Sequence, residues 1–225
     1  AIDEDVITLD DYVGSTLAPA NPAWESVTVR HLAGHSSGLP AWRDFRRELP
    51  AGVTAGSKEA YDIVRHGVFN TPFVAEIGAR ACYSDLGYMA LGWYLEERLG
   101  DTLDVLLSAR REQFSLEKVC FCPVDKSAIA PTEDDSERGL ILGDVHDPNA
   151  WLLGGVAGHA GLFGRAIDVG LWAQTLVAAW HGNNPAVSRK VLETLWRPDL
   201  PPPIEDTTWR ICFDSVSSGA SSSGR

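Results

Sequence analysis

The sequence predicts an α+β fold in which helices dominate and strands are few and short. Three observations predict it. Apolar residues recur at helical spacing behind good N-cap residues in several separate stretches. No strand–helix alternation of the kind that builds a parallel sheet is visible. Residues 120–145 carry no sustained period and contain Pro123, Pro131 and the acidic run Glu133-Asp134-Asp135, which reads as a long ordered loop with short strands.

In chain order, Leu9, Val13 and Leu17 suggest a short helix that Ala18-Pro19-Ala20-Asn21-Pro22 breaks. Thr28 can cap a second short helix that Gly34 stops, followed by a tight turn through His35-Ser36-Ser37-Gly38 into Pro40. Residues 42–56 are irregular, with Arg43, Arg46 and Arg47 solvated. Ser57 caps a helix from Lys58 to His66 with Tyr61 and Val64 inward. The chain is then organised around Ala81 to Trp93. Ser84 and Asp85 are both N-cap types, Leu86, Met89, Ala90 and Trp93 recur at helical spacing, and Gly100 is the stop. Tyr83 and Asp85 thus sit at a rigid corner, where two polar side chains can face a cleft.

Leu103, Leu106, Leu107 and Phe114 predict a helix over 102–114. After the long loop, a glycine-rich turn leads into a helix starting near Asp168 and ending at Gly182, and another opens at Ser188 and closes before Pro198. Pro201-Pro202-Pro203 reads as a stiff linker, Trp209 to Val216 alternates like a strand, and a Ser/Gly-rich tail follows. The expected organisation is one domain over 1–217 with a tail over 218–225.

With 225 residues and 44% hydrophobic content the chain is long enough to bury a core without staples. A formal charge of −12 argues against nucleic acid and anionic membranes as partners. No apolar run approaches the ~18 residues of a membrane span. The acidic start, Ala1 to Asp5, has neither the basic nor the apolar region of a signal peptide, so no compartment is readable. The four cysteines, Cys82, Cys120, Cys122 and Cys212, fit no zinc spacing and read as buried, reduced thiols.

Two catalytic-looking motifs are better read as coincidences. Gly34-His35-Ser36-Ser37-Gly38 fits the G-x-S-x-G elbow, but Pro40 stands where that elbow needs a running helix. Ser115-Leu116-Glu117-Lys118 fits S-x-x-K, but Val119 to Pro123 continues as extended chain. The segment His146-Asp147-Pro148-Asn149-Ala150-Trp151, then Gly154 to Gly164 with five glycines, reads as a pocket-lining loop. His146, Asp147 and His159 are metal-ligating types, yet no fourth ligand follows at a recognisable spacing, so neither metal nor other cofactor is expected.

Taken together these stretches resemble the serine β-lactamase and penicillin-binding-protein family, in its class C and esterase-like branch. Val27 to Leu32 with His35 to Pro40 looks like that family's helix and H-T-S-G-L-P turn. Tyr83-Ser84-Asp85 resembles its Y-x-N motif, with Asp85 where asparagine is more usual. Gly158 to Phe163 with Ala166-Ile167-Asp168 is similar to its G-G-L-x-S-T-A-x-D helix start. The resemblance covers most of residues 9–217. It implies a β-lactamase/transpeptidase-like fold, of which this chain is mainly the helical domain, with most of the antiparallel sheet missing.

The resemblance further implies acyl transfer. A serine on S-x-x-K attacks a carbonyl, and the Y-x-N tyrosine, its pKa lowered by the lysine, exchanges the serine proton. It makes Tyr83 and Asp85 the candidate catalytic residues, with Asp85 working against a lowered Tyr83 pKa. His146, Asn149, Trp151, Gly158 and His159 become candidates for substrate binding. The family's S-x-x-K lies upstream of this chain's start and its K-T-G or H-T-G downstream of its end. The expectation is therefore a serine hydrolase fragment acting on an ester, amide or β-lactam, inactive alone, with a small-molecule or peptide partner and an open oligomeric state. Rival readings are a non-catalytic peptide or cell-wall binding module, and an α/β-hydrolase using Ser36.

Overall fold

The computed structural model describes residue 2 and residues 6–18, 20–196 and 208–215. Helices α1 (Gly14–Leu17), α2 (Val29–Ala33), α3 (Lys58–Phe69), α4 (Asp85–Leu99) and α5 (Leu103–Ser108) come first. Strands β1 (Cys120–Phe121), β2 (Glu133–Asp135) and β3 (Gly139–Ile141), helix α6 (Pro148–Leu152), strand β4 (Leu162–Phe163), and helices α7 (Ala166–Trp180) and α8 (Arg189–Trp196) follow. The strands form two antiparallel pairs. Cys120 of β1 faces Phe163 of β4, and β2 and β3 make a hairpin in which Glu133 faces Ile141.

Helix α4 is the axis of the main core. Ser84 caps it, Gly100 ends it in the left-handed region at φ 78°, and its buried residues include Leu86, Met89, Ala90, Leu91, Trp93 and Tyr94. So many apolar positions leave no purely polar face, which is the signature of a helix surrounded by protein. Helices α1, α2 and α5 pack against it. Each fully buried side chain of the Leu86 or Met89 kind contributes about 1.5–3 kcal/mol. A second, smaller cluster joins α7 to α8 through Leu176, Ala179 and Leu192, flanked by Trp172, Trp180, Trp196 and Phe213.

Several expectations need correction. The first helix is confined to Gly14–Leu17. Helix α3 runs on to Phe69, and α5 stops at Ser108, because Arg110, Arg111 and Glu112 offer no apolar face to continue it. Arg43 is not simply solvated; its guanidinium is bonded to both carboxylate oxygens of Glu48 and to Thr71. Residues 209–214 form a tight hairpin turn, bridged from Trp209 to Asp214, rather than a strand. Within it Ile211 N–H donates to Leu195 O and Cys212 N–H to Ala33 O, which docks the turn on α8 and α2. The cysteines are free, but Cys122 and Cys212 are exposed and the other two half-buried. The Pro201 to Pro203 linker, Val216 and the 218–225 tail lie outside the described residues. Among those described, no helix is long and apolar enough to cross a membrane.

Candidate active site

The corner at Tyr83 is braced by backbone and by one histidine. Cys82 N–H donates to His35 O at 2.8 Å, and Asp85 N–H to Ala41 O at 2.9 Å. The Ser84 hydroxyl accepts from Gly87 N–H at 3.1 Å and donates to Pro40 O at 2.7 Å, while Ser84 N–H donates to His35 Nδ1 at 3.1 Å. That last bond assigns the His35 proton to Nε2. The ring stacks on Tyr88 at 4.5 Å, and Tyr83 and Trp209 lie 4.7 Å from it. Burial pushes the imidazole down to about 4, so it stays neutral at physiological pH. The turn expected from its glycine and serines is thus the brace of the corner.

Tyr83 is 48% exposed, so its phenol faces outward from the start of α4. Burial of part of the ring, then the negative charge of Asp85 and the hydrogen bond to it, and lastly Asp147, push this phenol up to about 12. The resemblance implied a lowered value; among the described residues, the charges acting on the hydroxyl are the carboxylates of Asp85 and Asp147. Asp85 itself is raised by burial, opposed by His159 and by the Tyr83 hydroxyl, with Asp147 adding to the rise.

Asp147 and His159 complete the group. The Asp147 carboxylate caps α6, accepting from Ala150 N–H at 2.7 Å, and Oδ1 also meets His159 Nε2 at 2.7 Å. Burial pushes Asp147 up, but the His159 bond and charge and the backbone N–H groups of Ala150 and Asn149 outweigh it and hold the carboxyl below its usual value. The His159 side chain is 1% exposed, and its Nδ1 is buried without a hydrogen-bond partner. One donor atom each from Asp85, Asp147 and His159 lie within 4.8 Å of one another.

A glycine explains why His159 reaches α4. A Cβ at Gly158 would stand 2.1 Å from Tyr88 O and 3.0 Å from Gly92 Cα, so the loop lies directly on the helix backbone. Gly158 and His159 also line an apolar groove of about 680 Å³ with Leu91, Leu95, Leu103 and Leu107.

Of the residues expected from sequence, Tyr83, Asp85, Gly158 and His159 come together. The other three lie elsewhere. Asn149 is fully buried and braces the fold, donating to Arg43 O at 2.9 Å and accepting from Phe45 N–H at 3.3 Å. His146 is exposed and pairs with Glu133 at 2.6 Å. Trp151 lies under the Arg138 guanidinium, 4.6 Å away, and lines a cleft with Gly56, Cys122, Lys126 and Asp144. Asp147 joins the site although its sequence context marks it only as a metal-ligating type; Asp147-Pro148 is a good N-cap and first-position pair for α6.

The alternative nucleophiles lack the setting their motifs require. Ser36 is 4% exposed in a turn that follows α2, with no strand before it or helix directly after it. Ser115 has φ 56°, shares a hydrogen bond with Thr175 at 3.1 Å, and lies on no helix that could carry Lys118 to it.

Comparison with known proteins identifies the family and the fold. The sequence profile of the family described as Beta-lactamase matches residues 1–213. An N-acetylmuramyl-L-alanine amidase of Bacillus subtilis is 27% identical over 205 residues, covering 83% of this chain and 46% of that protein. A protein of Escherichia coli K12, provisionally named D-alanyl-D-alanine carboxypeptidase, is 29% identical over 170 residues, covering 68% of this chain and 39% of the relative. The chain therefore spans less than half the length of these curated relatives. FmtA from Staphylococcus aureus superposes with a TM-score of 0.69 at 16% identity, covering 96% of this chain and 56% of that one. At that identity the superposition speaks for the fold alone.

Proposed function

The chain belongs to the β-lactamase family, and from that premise we propose that it supplies the tyrosine wall of a serine acyl-transfer site. The observation that carries the reading is the outward-facing Tyr83 phenol, fixed at the mouth of α4 beside Asp85. In the proposed reaction a serine Oγ adds to a carbonyl carbon, and the bond to the leaving oxygen or nitrogen breaks. The leaving atom takes up a proton. Water then cleaves the acyl–serine ester.

A phenol pushed up to about 12 is protonated at neutral pH, so Tyr83 is suited to donate to the leaving group. It becomes a base when a cation lies beside it and offsets Asp85 and Asp147. The serine comes from polypeptide outside these residues, since Ser36 is buried and Ser115 lies on no helix that could bring Lys118 to it. Relatives named as a cell-wall amidase and a carboxypeptidase favour an amide or ester of a small peptide as substrate. The apolar groove beside His159 is the proposed seat for its side chain.

The test uses a fluorophosphonate probe and an ester substrate. The chain alone should take no label. A longer polypeptide containing it should be labelled on a serine outside these residues. There Tyr83→Phe should lower kcat about 10²–10⁴-fold with little change in KM. Labelling of Ser36 or Ser115 in the chain alone would refute the reading. A full-length protein that retains peptide but never takes the probe would leave the non-catalytic binding module standing instead.

A further inference from the structure

The geometry points to His35 as a positioning residue for Tyr83: one histidine clamps the backbone on both sides of the phenol and packs its ring against it. The inference rests on the acyl-transfer reading and adds to it the residue that aims the proton-transferring group. The first contact joins main chain to main chain, with Cys82 N–H donating to His35 O at 2.8 Å. The second comes from the ring, where Nδ1 accepts from Ser84 N–H at 3.1 Å. Residues 82 and 84 flank Tyr83, and N–H groups two apart in extended chain point the same way. Ser84 is extended, at φ −142° and ψ 114°. A single residue therefore receives both bonds, and the peptide units around Tyr83 cannot turn without breaking one of them. The imidazole adds a third contact, its centroid 4.7 Å from that of the Tyr83 ring.

The clamp is itself anchored. His35 N–H donates to Leu32 O at 3.2 Å and Ser36 N–H to His31 O at 2.8 Å, so the histidine hangs from the end of α2. Tyr88 stacks on the same imidazole at 4.5 Å, and its hydroxyl donates to Ala33 O at 3.1 Å. Ser36 O accepts from Gly78 N–H and Gly38 O from Val74 N–H, each at 2.8 Å, which fixes the rest of the turn. Helix α2 packs on α4, so both ends of the clamp belong to one core. A misplacement of about 1 Å can cost 10²-fold in rate, and a proton donor aimed at a leaving atom is subject to that limit.

Two features make the residue type matter. The backbone of His35 is left-handed, at φ 55°, where glycine is at ease and Asn, Asp and His are the side chains most often found. Strained backbone of this kind clusters where a group has to be held for function. The side chain must also offer an acceptor at Nδ1 while filling the space among the rings of Tyr83, Tyr88 and Trp209. Leucine would fill that space but leave the N–H of buried Ser84 without an acceptor. Asparagine places Oδ1 where Nδ1 stands and tolerates the backbone. Glycine tolerates the backbone and keeps the bond to Cys82, but offers Ser84 nothing.

The test compares His35→Gly, His35→Asn and Tyr83→Phe in a longer polypeptide containing this chain, with an ester substrate. Rates are referred to the folded fraction, measured by circular dichroism, so that lost stability alone does not register. His35→Gly should lower kcat about 10–100-fold with KM within about twofold, and His35→Asn should recover most of that loss. An unchanged kcat in His35→Gly, or a loss that His35→Asn does not reduce, overturns the positioning role. A loss in Tyr83→Phe alongside either result leaves the acyl-transfer reading standing. If Tyr83→Phe leaves kcat unchanged, that reading fails and the positioning role falls with it. If His35→Gly does not fold, ¹⁵N-histidine spectra of the wild type at pH 7 decide. The His35 resonances, identified by their loss in His35→Asn, should show a bare Nδ1 and a protonated Nε2; a proton on Nδ1 would overturn the clamp.

Discussion

The corner at α4 and the arm formed by α7 and α8 are built on different terms. Around the corner, apolar side chains of α1, α2, α3 and α6 join α4 in one core, and Cys82 to Asp85 are bonded to the turn at residues 35–41. The arm has a cluster of three buried residues, while Ile167, Val169, Leu171 and Val177 of α7 stay exposed. Both regions are apolar; what separates them is enclosure. Rigidity suited to presenting a phenol and a carboxylate is found where the helix is surrounded, and the hairpin at 208–215 ties the two regions together, with Trp209 on His35 and Phe213 on Trp172 and Trp196.

The largest break of this contrast should come from Gly158→Ala. Its Cβ would meet the Tyr88 carbonyl, which is helix backbone and cannot rotate aside. Overpacking of this kind costs about 1–3 kcal/mol, and a contact with immovable backbone belongs at or above the upper end. Urea denaturation should show the loss, and the Asp147–His159 pair should be displaced from Asp85. Gly170→Ala in the arm, where a Cβ meets open space and the site is helical, is the matched control and should be neutral or slightly stabilising.

The contrast also shows what a linear reading can see. The cap at Ser84, the stop at Gly100 and the course of α4 were legible because cap chemistry and helical spacing are local. So was the nomination of Tyr83 and Asp85, through residues side by side in sequence. The pairing of Asp85 with His159 was not legible, since it depends on Gly158 resting on Gly92, an approach no periodicity encodes. Asn149 was misplaced for the same reason: a buried amide satisfied by Arg43 and Phe45 looks, in sequence, like one facing substrate. The short α6 was overshadowed by the glycines after it, although Asp147-Pro148 announced it. The strand expected at 209–216 failed because alternation over so few residues also describes a hairpin turn, here with Cys212 at φ 60°.

Acid should affect the corner before the arm. His35 has an ordinary value of 6.5 and a folded value of about 4. Between these, the unfolded chain takes up a proton that the folded chain refuses, so stability is full above about 6.5 and falls as pH drops toward 4. The loss is of order 2–3 kcal/mol at the low end. Asp168, at the start of α7, loses its contribution in the same direction but in a lower pH window. Hydrogen bonds from Arg165 hold it at about 2, so its contribution is full above the ordinary carboxylate value of 3.8 and is lost as pH falls from there toward 2. Denaturation at pH 7 and pH 4.5 should show a drop that His35→Gln largely removes and Asp168→Asn leaves in place. An equal slope in wild type and His35→Gln would show that His35 is not the buried proton acceptor.

The smallest effect should come from the arm itself. Leu192 is almost fully buried, yet its neighbours are few and several are exposed on their far sides. Leu→Ala substitutions in cores cost about 2–5 kcal/mol, rising with the cavity left behind. A site that can collapse belongs near 2. The distribution of the loss is the sharper measurement. If enclosure is what distinguishes the regions, Leu192→Ala should speed amide hydrogen exchange through α7 and α8 while α4 keeps its protection, as expected of a separate cooperative unit. Were α4 amides to exchange faster in step with those of α8, the hairpin at 208–215 would be coupling the two regions into one unit, and the arm would count as part of the frame that holds Tyr83.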